Sequence, residues 1–289
     1  MKHEKSLSIF VYSIIILSLA AALAGIFTKG GPGNYLFDSI HGEEVLIYGK
    51  GIYRNMSQSA APDGIAQDIV TIILAIPLLL ISFSKARKGS LKWKLVLAGT
   101  LLYFLFTYLL YMVLIMYNEL FLIYVLLASL SFYAFILTMI SFDLEDLAAR
   151  FDENISVKFV GGFLIFIAIT VGFNWLGRIV PPLLDGSIIP EVIEHYTSLP
   201  VQGLDLAFML PTAFLSGVLL IKRNNYGYLL APVILNFLII MMTAIGAKVI
   251  GQALQGVEGV LPVVIVFLAF AAIAAGSSFY LLRNMKEGK

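Results

Sequence analysis

Eight long apolar stretches divide this chain, and nearly all of its charged residues lie in the segments between them. The stretches run at about Ser6–Phe27, Ile65–Ser84, Leu95–Met116, Leu120–Ser141, Phe159–Ile179, Leu204–Ile221, Tyr226–Ile250 and Val260–Leu282. A helix needs about 20 apolar residues to cross the hydrocarbon core of a bilayer. The pattern therefore predicts an all-α fold, a polytopic membrane helix bundle with eight transmembrane helices. The first stretch follows a basic start, Met1 to Lys5, and passes Ala22-Leu23-Ala24, as a secretory signal would. Its apolar run continues beyond a normal cleavage point, so a retained helix is expected.

The polar segments add a second level of order. Residues 28–66 form the longest, with Gly30-Gly31-Pro32-Gly33 near its start. An acidic segment, residues 143–158, is the natural seam and suits a short surface helix. Pro181-Pro182 is expected to stop the fifth span. On either side of the seam a similar plan recurs. Gln67-Asp68, Pro77 and Ser82 lead to Lys85 and Arg87; Gln202, Asp205, Pro211 and Ser216 lead to Lys222 and Arg223. Laying Pro77 on Pro211 puts Ser82 on Ser216. The two aspartates then precede their prolines by nine and six residues, a difference of about one helical turn. The plan predicts a tandem 4+4 repeat: residues 1–142 and 159–289 as parallel four-helix units, joined by a cytoplasmic linker at 143–158. A Gly near the exit of each unit's first helix, Gly25 and Gly177, fits the same plan.

Composition narrows the class. The chain is 60% hydrophobic and 13% charged over 289 residues, against about 45–50% and about 25% in soluble domains. A net charge of +1 gives no reason to expect a nucleic-acid partner. With no Cys and three His outside the apolar runs, disulfides, thiolate nucleophiles, Cys-ligated metals and a haem on paired helix histidines are set aside. No phosphate-loop, His-Glu-x-x-His or Gly-x-Ser-x-Gly motif is present. No catalytic, metal-binding or cofactor-binding residue is therefore nominated. With both termini inside, 14 Lys/Arg fall on the cytoplasmic side and five on the other. The asymmetry predicts a multi-pass plasma-membrane protein with both termini cytoplasmic.

Ionisable and polar residues at the ends of spans are the candidates for chemistry, because charge is costly within a bilayer. Asp68 and Asp205 begin the second and sixth spans, each after a Gln (Gln67, Gln202). Arg178 and Asn174 lie near the end of the fifth, and Tyr53, Arg54 and Tyr196 in the long external loops. These nine residues are expected to line one externally open pocket between the second, fifth and sixth spans. The plainer alternative is that the aspartates are helix caps favoured by the dipole, worth about 0.3–1 kcal/mol each. Asn236, mid-span, suits a bond to a neighbouring helix. Lys248 falls in the last turn of the seventh span, too near its end for a retinal-type Schiff base. The aromatic face Phe104, Tyr108, Tyr111 suits packing, and Ala271, Ala272, Ala275 and Gly276 suit close helix contact.

Two groups of residues carry a resemblance. They are Gly51-Ile52-Tyr53-Arg54 with Gln67-Asp68-Ile69-Val70-Thr71 and Pro77-Leu78-Leu79, and Tyr196-Thr197 with Gln202, Leu204-Asp205 and Leu229-Leu230-Ala231-Pro232. Over most of its length the chain resembles a family of prokaryotic polytopic membrane proteins with no assigned activity. The resemblance implies the bundle and carries no mechanism. Three function classes fit the residues: binding or transport of a small polar solute, a non-catalytic sensing or accessory subunit, and a membrane-embedded lipid-modifying enzyme. The lipid bilayer is a partner in all three.

Overall fold

The computed structural model describes residues 3–254 and 256–287. Among them, eight helices are long and apolar enough to cross a membrane: α1 (Glu4–Phe27), α2 (Ala61–Arg87), α3 (Leu91–Val113), α4 (Phe121–Met139), α6 (Lys158–Asp185), α7 (Pro200–Ile221), α8 (Asn225–Leu254) and α9 (Leu261–Arg283). The short helix α5 (Leu144–Ala149) lies in the acidic seam. The Asp143 carboxylate caps it, accepting from the Glu145 and Asp146 N–H groups at 3.1 Å each. Lys2 and Lys289, both counted in the charge asymmetry, lie outside the described residues.

Two expectations need correction. Pro181-Pro182 does not stop the fifth span: α6 runs on to Asp185. Proline's fixed φ is itself helical, and the two N–H groups it removes fall near the helix end. There Gly186, at φ 83°, closes the turn and the Ile188 N–H reaches back to the Pro182 carbonyl at 2.8 Å. The small-residue stripe of the last span is also displaced. Ala271, Ala274, Ser277 and Ser278 are buried, whereas Ala272, Ala275 and Gly276 are exposed. The long first loop contains one unforeseen element, a hairpin of β1 (Tyr35–Asp38) and β2 (Glu44–Ile47). Its strands pair antiparallel from Tyr35 opposite Ile47 to Asp38 opposite Glu44.

The bundle is built around α3 and α8, its two most buried helices. They cross where Gly99 meets the Val233 carbonyl and Asn236; a Cβ on Gly99 would lie 2.5 Å from that oxygen. Similarly, α6 and α7 cross at Gly161 and Gly217, each facing the other's backbone carbonyl. Small residues permit such close approach, which lipid-immersed helices need because packing, not water exclusion, holds them. The Asn236 amide donates to Ser278 Oγ at 3.0 Å, joining α8 to α9 as its mid-span place suggests. Because α8 packs on α2 and α3 as well as on α7 and α9, the two sequence halves share one interior.

The ends of the bundle differ. One, the basic face, carries the α2–α3 and α7–α8 turns with Lys85, Arg87, Lys222 and Arg223. There the Arg223 guanidinium donates to the Glu153 and Ile155 carbonyls at 2.7 and 2.9 Å, binding the seam to the second half. The hairpin occupies the opposite face.

Candidate functional site

Both α2 and α7 contain a five-residue π-helical turn, Thr71–Ala75 and Asp205–Met209, each followed by one residue and then proline. The Ile76 N–H bonds to the Thr71 carbonyl, and the Leu210 N–H to the Asp205 carbonyl, one residue beyond the α-helical partner. Pro77 and Pro211 supply no N–H, and the wider turn absorbs that loss where a plain α-helix would kink. Beyond each proline the helix resumes, and Ser82 and Ser216, both fully buried, donate to Leu79 and Thr212 carbonyls. In this register Asp205 corresponds to Thr71, and Gln202 to Asp68.

Ahead of the π turn in α2 lies a closed polar nest. Asp68 is 2% exposed, Tyr53 2% and Gln67 3%, so this is no open pocket. The Tyr53 hydroxyl donates to Asp68 Oδ2 at 2.5 Å. The Tyr111 hydroxyl, on α3, lies 3.0 Å from Asp68 Oδ1 and 3.1 Å from the Gly64 carbonyl. Burial, and then the neighbouring Asp68 carboxyl, push the Tyr53 hydroxyl well above its ordinary range. The Gln67 amide donates to Tyr103 and Thr107 at 2.8 and 3.1 Å, and Tyr103 also meets Thr71 at 2.8 Å. The Gln67 Oε1 atom is buried without a hydrogen-bond partner among the described residues. Two glycines make room: a Cβ on Gly25 would overlap the Asp68 carboxylate, and one on Gly64 would press on the Tyr53 ring at 2.9 Å. The aromatic face of α3 therefore supplies, through Tyr111, a partner to the carboxylate as well as packing.

A second polar set lies where the two halves meet. Asp205, half-buried, accepts from the Trp175 indole N–H at 2.9 Å. The Arg178 guanidinium lies over that indole, 5.5 Å from its centroid. Asp63, in the first turn of α2, accepts from Gln252 of α8 at 3.1 Å. Lys248, half-buried one turn earlier on α8, lies within electrostatic range of both Asp63 and Asp205. One cation from α8 thus lies near carboxylates from α2 and α7, and so near both halves, without an ion pair to either among the described residues.

No protein-family model, no curated protein and no solved structure matches the chain.

The nine expected residues do not form a single open pocket. Tyr53, Gln67 and Asp68 come together, but in the closed nest, because the Tyr103 and Tyr111 hydroxyls and a glycine-lined gap enclose them within the first half. Asp205 stands apart with Trp175 and Lys248. Arg54 pairs with Glu119 at 2.5 Å, and that hydrogen bond holds the Glu119 carboxyl below its ordinary range. Among the described residues neither Arg54 nor Arg178 forms an ion pair with Asp68 or Asp205. Asn174 is exposed on α6. Gln202 lines a separate groove of about 400 Å³ between α6 and α7, beside Ile179 and Leu183.

Tyr196 ties the loops together. Its hydroxyl accepts from the Ser57 N–H at 3.4 Å, and its carbonyl accepts from His41 Nε2 at 2.9 Å. His195 Nε2 donates to the Asn55 carbonyl at 3.0 Å, and Ser59 bonds to Glu194. The loop before α2 is thereby clamped to the loop before α7. Lys248, Asp63 and Trp175 belong to the site although sequence reasoning left them out. The available signal was a lysine one helical turn from a glutamine at the end of an otherwise apolar span.

Proposed function

We propose that this protein binds, and carries across the membrane, a small solute bearing an ammonium group. The solute enters from the hairpin face where α2, α7 and α8 meet. The observation that carries the reading is the pair of π turns ahead of Pro77 and Pro211. Such turns concentrate at functional sites, and a π turn with proline gives a helix a place to bend. Here the π turns fall on the two helices whose carboxylates lie near Lys248. Charge is costly within a bilayer, so ionisable residues half-buried among the ends of spans are candidates for the mouth of a solute pathway. Two carboxylates against one lysine leave a net negative charge in ordinary protonation states, which suits a cationic or zwitterionic solute.

The matched π turns and buried serines also favour a tandem repeat, with α2 and α7 as equivalent moving parts. The Lys/Arg asymmetry favours a plasma-membrane setting with the basic face in the cytoplasm. A second reading, a non-catalytic sensing or accessory subunit, is favoured by the closure of the Asp68 nest, which offers no path to solvent.

Proteoliposome uptake of labelled amino acids, polyamines and sugars separates the two. The carrier reading expects saturable uptake of an ammonium-bearing class, no uptake of sugars, and loss of uptake in Asp205→Asn. Absence of both binding and uptake for every class would leave the accessory reading standing.

A further inference from the structure

On the basic face a groove of about 710 Å³ opens between the ends of α1 and α2. One side is apolar and uncovered: Tyr12, Leu80 and Ile81 are 47%, 42% and 47% exposed. The rim carries Lys85, Arg87 and Lys88. Two of these cations are held in place. Lys85 Nζ lies 5.0 Å from the Trp93 ring centroid, and the Arg87 guanidinium lies 5.6 Å from that of Phe83. Arg87 also pairs with Glu4 at 2.9 Å, so part of its charge is already met. Lys88 is exposed at the rim.

The spacing matches the depth profile of a lipid. At about 1.5 Å per residue, Leu80 lies roughly 10 Å beneath Arg87 along α2. Headgroup layers are about 5–8 Å thick on each side of the hydrocarbon core. The cations therefore stand at headgroup level while Leu80, Ile81 and Tyr12 stand at the level of the first acyl carbons. A basic pocket between membrane helices is the arrangement that takes anionic headgroups.

We propose that this groove holds one anionic phospholipid, with its phosphate between Lys85 and Lys88 and its upper acyl chain against Leu80 and Ile81. A choline headgroup is disfavoured, because its quaternary ammonium would meet Lys88. The site is independent of the solute site on the opposite face.

Native mass spectrometry of the full-length protein, titrated with phosphatidylglycerol or phosphatidylcholine, tests this. One phosphatidylglycerol is expected to be retained per chain and phosphatidylcholine not. Lys85→Gln and Lys88→Gln should each weaken retention about fivefold. Leu80→Trp keeps every charge but fills the apolar wall, and it should also weaken retention. Inorganic phosphate at millimolar concentration should not compete. Circular dichroism confirms that each variant is folded, and Lys88→Gln, a fully surface change, serves if Lys85→Gln is not. Equal retention of the two lipids, undiminished retention in Leu80→Trp, or displacement by inorganic phosphate would each overturn the assignment.

Discussion

Tyr53 donates a 2.5 Å hydrogen bond to Asp68, and by it the loop that follows the hairpin is fastened to the first turns of α2. The contact crosses from a loop into the bundle, and both partners are almost fully buried. A buried carboxyl is costly unless hydrogen-bonded, so this donor and Tyr111 are what make Asp68 tolerable there. Tyr53→Phe should keep the ring packed against Gly64 and remove only the donor. The expected loss is about 1.5–3 kcal/mol of stability, read as a lowered unfolding temperature in detergent. An unchanged temperature would mean that the hydroxyl is dispensable to the nest.

Gly25 and Gly177 occupy corresponding places by sequence but not by environment. A Cβ on Gly25 runs into Asp68 and Tyr53, whereas one on Gly177 meets nothing within 4 Å. Gly25→Ala should therefore destabilise by about 1–3 kcal/mol through overpacking. Gly177→Ala should be neutral or stabilising by up to about 1 kcal/mol, through helix propensity. Thermal unfolding of the pair checks the contrast, and equal effects would contradict it.

Much of this was legible in the sequence, and the remainder has identifiable causes. The spans are plain because a bilayer demands long apolar runs. Their ends were less so: Pro181 and Pro182 read as a stop, yet proline near a helix end costs only hydrogen bonds that were weakly held. Tyr53, Gln67 and Asp68 stood out as polar residues at a span boundary. Their partner Tyr111 read as packing and Tyr103 was not singled out, because an aromatic stripe does not reveal where its hydroxyls point. Arg54 and Arg178 were expected to line one pocket with the aspartates. Loop routing instead gave Arg54 to Glu119, and Arg178 stacks on Trp175, one helical turn earlier on the same helix. Proline marked both π turns without revealing them, since a widened turn has no residue signature of its own.

The loop clamp has an alkaline limit. Burial raises the Tyr196 hydroxyl to about 12 and puts Tyr53 well above its ordinary value. Each folded-state value exceeds the unfolded one, about 10. The unfolded chain therefore loses these protons first as pH rises, and stability falls. Full stability is expected below about pH 10, declining above it by roughly 1.4 kcal/mol per pH unit for each tyrosine, up to its folded value. Unfolding temperatures at pH 8 to 11 should show the decline, and Tyr196→Phe should make it shallower. A flat profile in the wild type would contradict the assignment.

The junction between the halves supplies the last prediction. Lys248 lies within electrostatic range of Asp63 and Asp205, which belong to helices far apart in sequence, while Gln252 bonds Asp63 from the next turn of α8. Were Lys248 only snorkelling toward the membrane surface, removing its charge would leave both carboxylates indifferent. If it neutralises them, Lys248→Met should destabilise the protein, and Asp63→Asn should partly rescue that variant. A double-mutant cycle should give a coupling of about 0.5–2 kcal/mol, less than a fully buried pair because Lys248 is only half-buried. A second cycle with Asp205→Asn should give a coupling of the same sign. Unfolding temperatures of the single and double variants, taken at pH 8 in low and high salt, supply both cycles. Couplings near zero would reduce Lys248 to an interfacial anchor. The proposed solute site would then lose its central cation, leaving α2 and α7 with hinges but no charge at which to hold a ligand.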